Sequence, residues 1–76
     1  MEYVYVTDNE SDFEVFASAE NAIQYLIDSS DAMKVNFEKY NNKTFEEACD
    51  YLRDSWFISL DNGHGIVSIK KKRVHS

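Results

Sequence analysis

Apolar and polar positions alternate from the start of the chain. In "EYVYVT", Val4 and Val6 fall on one side and Tyr3 and Tyr5 on the other, the two-residue period of a half-buried strand. "FEVF" (13–16) repeats the pattern after a polar connection, so the two segments read as an N-terminal hairpin. Residues 18–30 change period: Ala19, Ala22, Ile23, Leu26 and Ile27 recur at helical spacing, with Ser18 placed as N-cap. "MKVNFEKY" alternates Met33, Val35 and Phe37 with polar residues and reads as a third strand. "TFEEACDYLRDS" is a second helix. Thr44 and Glu47 have the spacing of a capping box, and Phe45, Ala48, Cys49 and Leu52 form its apolar stripe.

The last segment, 56–73, carries Asn62-Gly63, the dipeptide preferred in two-residue hairpin turns. That register sets Trp56 opposite Ile69 and Asp61 opposite His64, and it puts Trp56, Ile58, Leu60, Val67 and Ile69 on one face. The expected fold is therefore α+β: a two-layer sandwich of order ββαβαββ, with a mostly antiparallel sheet and two helices on one face. The other face is expected to stay open and to present Tyr3, Tyr5, Phe57 and Ile66, together with Glu14, Phe16, Lys34, Asn36, Glu38 and Ser59.

Composition narrows the classes of function. Seventy-six residues make one domain, 1–76, and a chain of this size buries only about 60% of the surface it exposes when unfolded. The single cysteine excludes an internal disulfide framework, and the absence of a long apolar run or a basic leader points to a cytoplasmic protein with no membrane partner. Net charge is −6, unevenly spread: residues 1–69 hold all fourteen acidic side chains against Lys34, Lys39, Lys43 and Arg53, a net −10. Residues 70–76 form a basic C-terminal tail, able to fray, that returns +4 through Lys70, Lys71, Lys72 and Arg73. An acidic body of this kind disfavours direct nucleic-acid binding and attracts basic proteins. The tail then reads as a charge complement to the body or a lysine guard on a strand edge, and next as a partner contact.

Candidate catalytic groups do not converge. Asp61 and His64 would face each other across the turn, with no nucleophile or third ligand nearby, and Cys49 sits on an inward helical stripe. Both glycines belong to the hairpin, so no phosphate loop is present and no cofactor is expected. Glu46, Asp50 and Asp54 recur every fourth residue, about 6 Å apart on one side of the second helix, with Glu47 beside them. Such a row can occupy a groove built for phosphates.

The opening "MEYVYVTDNESDFEVFASAENAIQYL", a hairpin then a helix, joined to an acidic body without a catalytic motif, resembles the small acidic proteins that bacteriophages and mobile elements use to inhibit host enzymes or defence systems. The resemblance is one of overall style along the full chain and transfers no functional residue. It implies a noncatalytic inhibitor that occludes the basic surface of a nucleic-acid-processing or defence enzyme; the residue pattern itself offers Glu46, Glu47, Asp50 and Asp54 as the binding face, with the open sheet face of Tyr3, Tyr5, Phe57 and Ile66 as a further partner surface. The alternatives are a homodimer or other homo-oligomer built through Tyr3, Tyr5, Phe57 and Ile66, serving as a regulatory or scaffolding unit, and, behind it, RNA binding through sheet aromatics and the tail.

Overall fold

The computed structural model describes residues 2–9 and 12–74. The strands are β1 (Tyr3–Asn9), β2 (Asp12–Phe16), β3 (Phe57–Asp61) and β4 (Ile66–Arg73). The helices are α1 (Ala19–Asp28), α2 (Asp31–Asn41) and α3 (Phe45–Asp54). All strand pairs are antiparallel, in the spatial order β2-β1-β4-β3, so the two chain termini supply the inner strands. The α+β class holds, but the order is ββαααββ, with three helices on one face of the sheet.

The expected third strand is α2. Its period-2 reading rested on Met33, Val35 and Phe37, and two of these are also the i, i+4 pair of a helix. Met33 and Phe37 are buried, whereas Val35, the residue that would separate the two readings, is 81% exposed. The hydroxyl of Ser30 accepts from the Met33 amide and starts the helix; Asn42, at φ 54°, ends it in the left-handed region. Ser18 caps α1, and Thr44 and Glu47 form the reciprocal capping box on α3, both as the sequence suggests.

The core lies between the helices and one face of the sheet. Ile23, Leu26, Met33, Phe37, Ala48, Cys49 and Leu52 pack against Tyr5, Ile58, Leu60 and Ile69. The faces of the C-terminal hairpin are as expected, but its register is not: Ile58 lies opposite Ile69 and Asp61 opposite Ile66. The connection has four residues, 62–65. Asn62 Oδ1 accepts from the amides of His64 and Gly65 at 2.8 and 2.9 Å, and Asp61 Oδ1 accepts from Gly63 at 2.8 Å. Side chains that bond their own backbone favour this wider turn over the two-residue one. Gly63 is required twice over: its φ is +89°, and a Cβ there would meet the Tyr40 ring at 3.0 Å. The shift from the expected register is two residues, an even number, which is why every side chain kept its face.

The N-terminal hairpin is inverted relative to expectation. Tyr5 (7% exposed) and Thr7 (0%) face the helices, as does Phe16, while Val4 and Val6 face outward. Pairing decides this: Thr7 lies opposite Ile69 and Tyr5 opposite Lys71, so the inward face of β4 carries the tyrosine face of β1 inward with it. Thr7 is accommodated in the core because its hydroxyl bonds the Glu14 backbone.

Candidate functional site

Three surfaces bear on function, and each is built by a different element. The first is the exposed side of α3. Of the four carboxylates expected to act together, Glu47 is committed to the helix start: its Oε1 accepts from the Thr44 amide at 2.9 Å, and hydrogen bonds from the Thr44 backbone and hydroxyl hold its carboxyl below the ordinary value. Asp50 accepts from Arg53 at 2.7 Å, and Arg53 also pairs with Glu20 on α1. A backbone hydrogen bond within Glu20 and then the Arg53 contact lower the Glu20 carboxyl in turn. Among the described residues, Glu46 and Asp54 remain exposed without an ion pair.

Beside this row is a hollow of about 330 Å³ lined by Glu20, Phe45, Glu46, Cys49, Asp50 and Arg53. Its cysteine is buried, and burial pushes the thiol up from its ordinary value, with neighbouring carboxylates adding to the shift; the protonated thiol is a poor nucleophile. No group of three or more His, Cys, Asp or Glu side chains among the described residues could hold a metal ion. The Asp61–His64 pair does not form across the strands, since Asp61 turns its carboxylate to the Gly63 amide and His64 sits in the exposed loop.

The second surface is the end of the sheet where Tyr3, Trp56 and Lys71 meet. The Lys71 ammonium lies 4.3 Å from the centre of the Tyr3 ring and 5.7 Å from that of Trp56, and the two rings contact edge to face at 5.9 Å. It also donates to the Arg53 carbonyl, one of the orphan acceptors at the C-terminal end of α3. Lys71 is thereby a structural clamp between β4 and α3. The basic run is not an edge guard, because β1 pairs with it from Ile69 through Arg73. His75 and Ser76, the end of the expected tail, lie outside the described residues.

The third surface is the open face of the sheet. Phe57 and Ile66 are on it as expected, 56% and 68% exposed. Tyr3 and Tyr5 are not, because the β1 face is reversed, and Glu14 and Phe16 follow the same inversion. Lys34, Asn36 and Glu38 belong to α2. In their place stand Val4, Val6, Val15 and Phe13, the last 70% exposed. Lys70 and Lys72 also point to this side; Lys70 lies between Val6 and Phe57, and Lys72 beside Val4. Val6, Phe13, Lys70 and Lys72 line a shallow hollow of about 280 Å³. Phe13 and Val15 escaped the sequence reading because alternation alone does not say which side of a strand turns inward; Lys70 and Lys72 were expected as contacts of the tail and not as part of this face. The available signal was Ile69: the next outward positions after it are Lys70 and Lys72, and the lysines then mark the outer face.

Comparisons with protein families, with curated proteins and with solved structures found no match. No helix among the described residues is long and apolar enough to cross a membrane.

Proposed function

We propose that the chain is a noncatalytic protein-binding domain that engages its partner through the open face of its sheet. The observation that carries this reading is the apolar cluster of Phe13 and Val15 with Val4 and Val6 of the neighbouring strand, and exposed Phe57 across Lys70 from it, on a sheet whose other face is covered by three helices. Apolar clusters of this kind on a small domain mark association surfaces, whereas isolated exposed apolar residues do not. The hollow by α3 supports the reading less well, because two of its carboxylates are spoken for by Arg53.

A second reading keeps the acidic inhibitor, which would occlude the basic surface of a nucleic-acid-processing or defence enzyme. It is favoured by the charge of residues 19–54, eight acidic against four basic, and by exposed Glu46 and Asp54. The two separate in one experiment: affinity capture from the source cell with the parent chain, with Phe13→Ser plus Phe57→Ser, and with Glu46→Lys plus Asp54→Lys. Loss of a specific partner in the first variant alone supports the sheet face; loss in the second alone supports the acidic face and rejects the sheet. Far-UV circular dichroism confirms that both variants stay folded.

A further inference from the structure

Lys70 rises from an inner strand between Val6 and Phe57, so it stands within the apolar face, and Lys72 follows it on the same side beside Val4, toward the end of the sheet. A partner that covers Val6 and Phe57 necessarily covers Lys70 between them. Taking an ammonium group out of water is costly unless the partner brings a counter-charge. Among the described side chains, no ion pair engages either lysine. The partner must therefore be apolar and anionic at once, with its negative groups at a set spacing.

Dimensions narrow its form. Four strands about 4.8 Å apart put roughly 14 Å between the outermost strand axes, while a helix with its side chains is about 10–12 Å across. Lys70 and Lys72, two residues apart on one strand, are separated by about 6.6 Å along it, close to the ~6 Å between side chains at i and i+4 on a helix. The hollow is apolar on the side of Val6 and Phe13 and cationic on the side of Lys70 and Lys72. We propose that the open face binds an amphipathic helix of another protein, its apolar stripe against Val6 and Phe13 and carboxylates at i and i+4 against Lys70 and Lys72. This rests on the reading of the open face as the binding surface.

Other occupants fit less well. A second copy in a two-fold contact would bring the same patch onto itself and gather four ammonium groups in one apolar interface. A nucleic-acid strand would find two lysines for its phosphates on this face, fewer than the several phosphate contacts whose counterion release drives such binding. The acidic helices repel an anionic partner only weakly by comparison. They sit behind the sheet at about 10 Å, beyond the ~8 Å screening length at physiological salt, while the lysines touch the partner directly.

The test is a display selection from a library of helical peptides with randomised flanks around a fixed apolar stripe, run against the intact chain. Titration of a selected peptide by fluorescence anisotropy follows. Enrichment of Asp or Glu at i and i+4 is expected. Changing both to Asn or Gln should weaken binding about tenfold, and the same change should have no effect on the chain carrying Lys70→Gln and Lys72→Gln. Binders selected without acidic enrichment, but lost with Phe13→Ser plus Phe57→Ser, overturn the charge assignment and leave the face standing. Failure to select any binder sensitive to that double change overturns both. Concentration-dependent dimerisation or oligothymidine binding that disappears with the same double change assigns the face to another occupant and rejects the helix.

Discussion

Lys70 and Lys71 are neighbours in β4, and their surroundings differ in almost every respect. Lys71 points to the helix side, where two aromatic rings lie beside its ammonium and the Arg53 carbonyl in the last turn of α3 accepts a hydrogen bond from it. Lys70 points to the open side, between a valine and a phenylalanine that three helices do nothing to cover. The same contrast runs along the whole sheet. Inward, even the hydroxyl of buried Thr7 is hydrogen-bonded; outward, four large apolar side chains meet solvent. Strand parity alone separates a residue that holds the fold from one that stands exposed on the open face. Residues that share a chemistry but differ in parity are the natural places to test the contrast.

Ile69 and Ile66 give the largest expected difference. Ile69 is fully buried between Ile58 and the helices, so Ile69→Ala should cost about 2–4 kcal/mol through lost burial and the cavity left behind. Ile66 is exposed on the other face, and Ile66→Ala should change stability by less than about 0.5 kcal/mol. Urea unfolding of the two variants measures both. Equal effects would mean that the open face is covered in solution and would break the comparison.

The lysine pair comes next. Lys71→Met removes the cation between Tyr3 and Trp56 and leaves the Arg53 carbonyl without its donor, with an expected loss of about 1–2 kcal/mol. Lys70→Met should be neutral to stability, because the side chain is exposed on the open face, and should alter binding instead. A smaller effect of the same kind is expected at the sheet's edge. Asn41 donates to the Asp61 carbonyl and accepts from its amide at 3.2 and 2.8 Å, imitating a further strand at the end of β3. Asn41→Ala should cost about 1 kcal/mol and speed amide exchange at Asp61.

These contrasts also show where the sequence is a sufficient guide. Helices α1 and α3 were legible because cap, stripe and length agree, and the C-terminal hairpin kept its faces because the register error was even. The second helix was hidden by its own ambiguity: Met33 and Phe37 satisfy both periods, and only the tertiary structure exposes Val35. The N-terminal hairpin failed for a different reason. Tyr and Val are both good strand residues, so no local term distinguishes the faces of "YVYV"; the choice is made by a pairing with β4, more than sixty residues away. Reversing that one hairpin exchanged Tyr3 and Tyr5 for Phe13 and Val15 in the candidate site. The acidic row of α3 was correctly spaced, but its use of Glu47 as a cap and Asp50 as an Arg53 partner depends on contacts that spacing alone leaves open.

The smallest expected effect concerns acid, and it belongs to the helix side. Glu47 and Glu20 both have carboxyls lowered from 4.5 by hydrogen bonds made in the folded chain. Over the interval between the folded and unfolded values the unfolded chain binds more protons, so stability falls with falling pH there. The contribution is fully present above the unfolded value and is lost as pH drops through the folded one. Glu47→Gln keeps an acceptor for the Thr44 amide but takes no part in the titration. Its urea midpoint, followed from neutral pH to about pH 3, should therefore fall less steeply than that of the parent, by a margin smaller than the Lys71→Met effect. Ile66→Ala, on the open face, should follow the parent's slope. If Glu47→Gln followed it too, the capping box would carry no acid dependence, and the folded-state bonds around Thr44 would have to persist in the unfolded chain.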